Sequence, residues 1–155
     1  MNMELLMKEL TQRVKKASRV MGSLSTATKN AWLIQSAEQI EKMKTEIQKA
    51  NEEDLEGGKS KGLSSAMLDR LALTDKRIRE ITLALREIAA LPDPVGEISR
   101  VIPRPSGIFV GKMRVPIGVI GVIYESRPNV TVDAAALCLK AGNSVVLRGG
   151  SEAFH

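Results

Sequence analysis

The side chains able to form a covalent bond with a substrate are few in this sequence. Cys138 is its only cysteine and His155 its only histidine. A thiolate is a strong nucleophile where a base or a cation lowers its pKa. Cys138, however, lies in AALCLKAGN between Leu137 and Leu139, with nothing near it in sequence to act as a base. Such surroundings read as one face of a packed helix, where cysteine behaves as a small hydrophobe.

Binding chemistry is better represented. Arg148-Gly149-Gly150-Ser151 follows a short apolar segment. Paired glycines let a backbone approach a ligand closely, and a guanidinium recognises phosphate or carboxylate. Tyr124-Glu125-Ser126-Arg127-Pro128-Asn129 closes the apolar segment before it. Arg127 is either an anion-binding cation or one half of a surface ion pair. Asn129 is either an amide donor to a developing oxyanion or a helix N-cap. Gly118 and Gly121 are spaced GxxG, which lacks the pattern of a GxGxxG phosphate loop. They read equally as close helix–strand packing and as an approach to a cofactor.

The elements that must position these residues change character near Pro92. Before it the chain reads as helix. Leu6, Leu10, Val14, Ala17 and Met21 recur at spacings of three and four over residues 3–21. A second, long helix over 27–55 carries Ala27, Ala31, Ile34, Ala37, Ile40, Met43, Ile47 and Ala50 on one stripe, capped by Thr26 or Ser25. The glycine-rich run 57–62 reads as a mobile turn. A short helix follows over 64–70, and Thr74 caps another through Ala90 with Ile78, Ile81, Leu85 and Ile88 inward. Lysines and arginines of this region fall on solvated faces.

Pro92-Asp93-Pro94 ends the helices. Residues 97–115 alternate and contain Pro103, Pro105 and Gly107, which predicts a two-stranded hairpin. PIGVIGVIY, 116–124, reads as a strand buried on both faces of a parallel sheet. Residues 129–141 read as a helix, with Gly142 at its left-handed end. Residues 144–147 form a second strand, completing a right-handed βαβ unit. The fold class is therefore α/β, in three segments: residues 1–92 are helical, 93–116 make a hairpin and 117–155 begin a parallel sheet. Two strands apolar on both faces need partners, so the sequence is expected to be incomplete or to assemble with another chain.

The chain has 155 residues, enough for one domain, with 43% apolar and 26% charged residues. No uncharged apolar run approaches the ~20 residues that cross a bilayer, and the N-terminus has the pattern of neither a signal nor a transit peptide. A lone cysteine fits a reducing, cytoplasmic setting. The net charge of +5 is interleaved with acids, and only four aromatic residues are present, so nucleic-acid binding is not expected.

Two stretches carry a resemblance. LSSAMLDRLALTDKRIREITLALREIAALPDPVGEI, 63–98, and RVPIGVIGVIYESRPNVTVDAAALCLKAGNSVVLRGGSEA, 114–153, resemble γ-glutamyl phosphate reductase, also called glutamate-5-semialdehyde dehydrogenase, of the aldehyde dehydrogenase superfamily. YESRPNVTVD followed by KAGNSVVLRGG is specific to that family. The resemblance implies an aldehyde dehydrogenase-like fold and reduction of L-glutamyl 5-phosphate by NADPH in proline synthesis. It implies that Arg148, Gly149, Gly150 and Ser151 bind NADP. NAD-preferring relatives carry Lys-Pro-Ser-Glu there, and the loss of the glutamate with gain of a guanidinium suits a 2′-phosphate. Relatives carry Pro-Trp-Asn near Arg127 and Asn129, which implies oxyanion stabilisation by Asn129 and substrate binding by Arg127. It further implies that the nucleophilic cysteine lies downstream of His155, that this stretch alone is inactive, and that the hairpin joins subunits of a homo-oligomer. A noncatalytic helical interaction module is the competing expectation.

Overall fold

The computed structural model describes residues 2–125 and 127–155. Helix α1, Met3–Met21, begins at Asn2, whose side chain accepts from the Glu4 N–H at 3.0 Å. Helix α2, Thr26–Lys42, is capped by Ser25 and helix α3 spans Lys44–Ser60. Helix α4, Ser65–Leu71, is capped by Ser64, and helix α5, Asp75–Ala90, by Thr74. Each capping oxygen answers an N–H that the first helical turn leaves unpaired, worth about 1 kcal/mol.

The expected helix over 27–55 is two helices. Met43, at φ −90° and ψ 10°, leaves helical geometry between them. The cause is packing: α2 lies against α5 and α6, whereas α3 turns to meet α4. The buried stripe of α2 is also rotated from the expected one. Lys29, Leu33 and Ala37 are buried, while Ala27, Ala31 and Ile34 are exposed.

The glycine run is a helix end rather than a loose turn. Gly57–Ser60 complete α3, and Gly62 takes φ 76° just beyond the cap. The Leu63 N–H donates to Gly58 O and the Gly62 N–H to Lys59 O, both at 3.0 Å. This is the Schellman arrangement. A Cβ on Gly58 would stand 2.9 Å from Leu63 Cδ1 and 3.2 Å from Leu68 Cδ2, so both leucines would have to shift to admit a side chain there.

Strands β1, Ile98–Pro103, and β2, Phe109–Met113, pair antiparallel as expected, with an irregularity at Arg100, whose φ is 53°. Strand β3, Val119–Ile123, helix α6, Pro128–Lys140, and strand β4, Ser144–Arg148, make the expected βαβ unit. Its strands are parallel in the register Val119↔Ser144 to Ile123↔Arg148. Strand β3 is not buried on both faces: Val119, Gly121 and Ile123, which share one face, are exposed, and among the described residues β4 is the one strand beside it. At the end of α6 a second Schellman arrangement sets Gly142 at φ 71°.

The core lies where three helices meet. Leu33 and Ala37 of α2, Leu85 and Ala89 of α5 and Ala136 of α6 are buried together, flanked by Ile40, Ile88, Val132 and Leu139. The crossover helix is therefore seated on the helical region, and this seating fixes the carboxyl edge of β3 and β4. Below it lies a buried ionic cluster that contradicts the expectation of solvated lysines. Lys29 is 1% exposed and pairs with Asp93. Lys140 is 4% exposed and donates to Asn30 Oδ1 and to the Ala89 carbonyl.

Candidate functional site

Because β3 and β4 run parallel, the residues leaving both strands reach one edge of the sheet, where open α/β sheets bind ligands. The Tyr124 N–H donates to the Arg148 carbonyl at 3.1 Å, continuing the ladder by one step. The Tyr124 hydroxyl meets Thr131 Oγ1 of α6 at 2.5 Å, which fixes the ring over Gly149. Between this edge and α3 lies a cavity of about 370 Å³, lined among others by Ile47, Asp54, Tyr124, Pro128, Thr131 and Gly149. Beyond β4, the Phe154 and His155 N–H groups both donate to Asp54 Oδ1, at 3.0 and 3.1 Å, fastening the segment to α3.

Arg148 ends β4 exposed, with no ion pair among the described residues. Gly149 and Gly150 do not have positive φ, unlike Gly62, Gly96, Gly107, Gly118 and Gly142. A Cβ on Gly149 would touch the Tyr124 ring at 3.4–3.6 Å, an ordinary contact. One on Gly150 would overlap only the Glu152 carboxylate, the flexible end of a side chain. Neither glycine is thus demanded by the turn. Ser151 is exposed. The Glu152 carboxylate lies against Gly150, so this edge keeps an acidic group one position beyond Ser151.

At the neighbouring helix, Arg127 is the N-cap residue of α6 by its backbone, with an exposed side chain that makes no capping bond. Asn129 stands inside the first turn after Pro128, so the N-cap reading of Asn129 is corrected. Its Nδ2 donates one proton to Asp133 Oδ2 at 3.1 Å, the one side-chain bond it makes among the described residues. Asn129 lines a second cavity of about 280 Å³, together with Arg70, Arg77, Glu80 and Asp133. Leu73 and Pro128 border both cavities, which therefore adjoin. Arg127 lines neither of the two. Ser126, between the strand and this helix, lies outside the described residues.

The GxxG glycines take a structural role at one position. Gly118, at φ 115°, precedes β3 at the edge opposite the cavities. Its N–H donates to Asn143 Oδ1 at 2.8 Å, and its carbonyl accepts from the Ser144 N–H at 2.9 Å. Asn143 is buried and clamps the two strand starts together. Among the described residues nothing lies within 4 Å of a Cβ position on Gly121, so none of their helices packs closely on it. Cys138 is buried in α6, and burial pushes its thiol pKa up, away from nucleophilic use. Among the described residues no helix is long and apolar enough to cross a membrane.

Sequence reasoning missed Tyr124, Arg70, Asp133 and Asn143. The signal for Arg70 and Asp133 was a charge standing within an otherwise apolar repeat, LDRLAL and TVDAAA.

No family model matches the chain. Over all 155 residues it is 54% identical to the γ-glutamyl phosphate reductase of Moorella thermoacetica, of which it covers 37%. Over 139 residues it is 62% identical to that of Geotalea daltonii, covering 33%. The crystal structure of γ-glutamyl phosphate reductase from Thermotoga maritima matches 94% of this chain with a TM-score of 0.88 and 43% identity, over 35% of that chain. A NAD-dependent benzaldehyde dehydrogenase from Corynebacterium glutamicum matches 92% with a TM-score of 0.70 and 25% identity, over 28% of that chain. The chain thus spans about a third of the length of the relatives it matches.

Proposed function

The chain is γ-glutamyl phosphate reductase-like in sequence and aldehyde dehydrogenase-like in fold, and from this we propose that the whole protein converts L-glutamyl 5-phosphate to L-glutamate 5-semialdehyde. The reaction consumes NADPH and a proton and releases NADP⁺ and phosphate. When bound, the cofactor supplies the hydride that reduces the acyl carbon. The observation that carries the reading is the β3–β4 edge: a guanidinium with no ion pair among the described residues and two glycines without positive φ, beside an open cavity.

In this proposal Arg148 pairs a phosphate of the dinucleotide, and Gly149 and Gly150 let the backbone approach it, with Ser151 as a hydroxyl donor. NADP is preferred through the Arg148 charge, and Glu152 turns its carboxylate aside when the 2′-phosphate binds. The second amide proton of Asn129, unbonded among the described residues, donates to the developing oxyanion. Arg127 draws the anionic substrate toward the edge. Cys138 stays out of the reaction, and the thiol that accepts the acyl group is supplied from elsewhere in the protein. The exposed hairpin β1–β2 covers itself by joining subunits of a homo-oligomer, since a bare apolar edge invites association. The protein works in the cytoplasm.

The experiment is phosphate-dependent NADP⁺ reduction with glutamate 5-semialdehyde, on this chain alone and on a full-length protein containing it. Activity confined to the full-length protein supports the reading. Activity of the isolated 155 residues would return Cys138 to the chemistry, and inactivity of both would leave a noncatalytic module.

A further inference from the structure

The second cavity, of about 280 Å³, gathers opposite charges from three elements. Arg70 comes from the last turn of α4, Glu80 from α5 and Asp133 from α6. Arg77 also lines it but is committed elsewhere. Its guanidinium donates to the Asp69 and Ala72 carbonyls and, at 3.0 Å, to the Asp69 carboxylate, holding the α4–α5 turn. The Arg70 guanidinium, by contrast, has no hydrogen bond or ion pair among the described residues. Asp133 accepts one neutral amide proton, from Asn129, and has no cationic partner among them. Among the described residues Glu80 pairs with Lys76 alone, at 3.9 Å on its own helix, an exposed pair of little strength.

Arg70 and Asp133 therefore share a cavity without neutralising each other. A zwitterion asks for that arrangement: a guanidinium forks onto a carboxylate, and a carboxylate receives an ammonium. The remaining wall, Leu73, Ile81 and Ala84, is apolar and suits a short aliphatic chain. Through Leu73 and Pro128 the cavity adjoins the larger one at the β3–β4 edge, so a ligand seated by its charged end can extend its other end toward that edge.

We infer that this cavity holds the α-amino-acid end of the substrate, Arg70 pairing the α-carboxylate and Asp133, with Glu80 beside it, pairing the α-ammonium. The inference rests on the reductase reading and adds the residues by which the protein selects an α-amino acid over a plain aldehyde.

The test uses a full-length reductase in which this chain replaces the matching segment of the Moorella thermoacetica relative. Phosphate-dependent NADP⁺ reduction is followed with three aldehydes: L-glutamate 5-semialdehyde, 4-aminobutanal, which lacks the carboxylate, and 5-oxopentanoate, which lacks the ammonium. Arg70→Gln is expected to raise KM for the semialdehyde about tenfold or more and to leave 4-aminobutanal unchanged. Asp133→Asn is expected to do the same to the semialdehyde while leaving 5-oxopentanoate unchanged. Selectivity is taken as the ratio between aldehydes within each variant, so a loss of folded protein cancels. Variants that change all three aldehydes alike, or none, overturn the inference and leave the reductase reading standing. A wild-type chimaera active on none of the three overturns both.

Discussion

Lys29 Nζ lies 2.6 Å from Asp93 Oδ2 in a site where the lysine is wholly buried. The same carboxylate accepts from Thr26 Oγ1 at 2.8 Å and from the Val95 N–H at 3.0 Å. Lys29 also donates to the Lys140 carbonyl at 3.3 Å. The Lys29–Asp93 pair thus ties the start of α2, the α5–β1 connection and the end of α6. Burial pulls the Lys140 ammonium below the usual lysine range, with the Asp93 charge opposing and the Lys29 charge adding.

Burial alone would raise the Asp93 pKa. The bonds from Lys29, Thr26 and Val95, with the Lys29 charge, more than offset it and leave the carboxyl below its usual range. An acid whose pKa is lowered by folding stabilises the fold above its unfolded value, near ~3.9, and loses that contribution as pH falls through the folded value. The protein is therefore expected to lose stability on acidification below about pH 4. Asp93→Asn should cost about 3–5 kcal/mol at pH 7, because it leaves buried ammonium groups without their carboxylate, and should flatten the acid limb. Urea unfolding at pH 7 and pH 3 measures both; equal midpoints for the variant and the parent at pH 7 would remove Asp93 from this role.

That cluster also shows where the sequence stopped being legible. Ser25 and Thr74 could be read as caps because capping is local, and the face of α5 because its period is unbroken. The βαβ unit was legible for the same reason: apolar strand, amphipathic helix, glycine end. Lys29 and Asp93 are far apart in the chain, and a lysine that will be buried against a distant acid looks in sequence like any solvated one. The break at Met43 was hidden because the apolar stripe runs through it, and only the different partners of α2 and α3 divide it. At the candidate site the placement of Arg148 to Ser151 at the end of β4 was legible, but the Tyr124–Thr131 contact and the cavity of Arg70 and Asp133 were not. That cavity exists only once α4, α5 and α6 converge.

Asn143 is expected to be required for the entry of β3. Removing its Oδ1 leaves the Gly118 N–H without its partner at a half-buried position. Asn143→Ala should cost about 1–3 kcal/mol, the usual penalty for an orphaned buried donor. Gly118→Ala should destabilise independently, since φ 115° is strained for any residue with a Cβ. Thermal melts of both variants report the effect, and a melting point unchanged in Asn143→Ala would show the clamp to be dispensable.

Cys138 is expected to react slowly. Burial raises its thiol pKa, so little thiolate forms at neutral pH, and the sulfur is covered. Labelling by a thiol reagent should be slow in the folded chain and rapid in urea. Cys138→Ala should cost about 1 kcal/mol through the vacated volume and leave the activity of a full-length protein in place. Fast labelling of the folded chain, or loss of activity in a variant that still melts cooperatively, would contradict the structural role.

The sharpest separation of fold from function is expected at Gly149 and Gly150. Neither has a positive φ, and the nearest atoms to a Cβ are those of the Tyr124 ring at Gly149 and of the Glu152 carboxylate, the end of a side chain, at Gly150. Alanine at each should leave stability within about 1 kcal/mol, even raising it slightly by stiffening the unfolded chain. If a dinucleotide phosphate lies against this backbone, the same Cβ stands in its path, and KM for NADP⁺ in a full-length protein should rise about tenfold or more. Arg148→Gln should raise KM for NADP⁺ more than for NAD⁺, because only the former has the 2′-phosphate that a guanidinium grips. Glu152→Gln should shift the preference the other way, toward NADP⁺, by removing a negative charge from beside Gly150. Alanine variants that melt early but keep their cofactor KM would make the glycines a requirement of the turn, and an Arg148→Gln protein with an unchanged NADP⁺-to-NAD⁺ ratio would detach the arginine from cofactor choice.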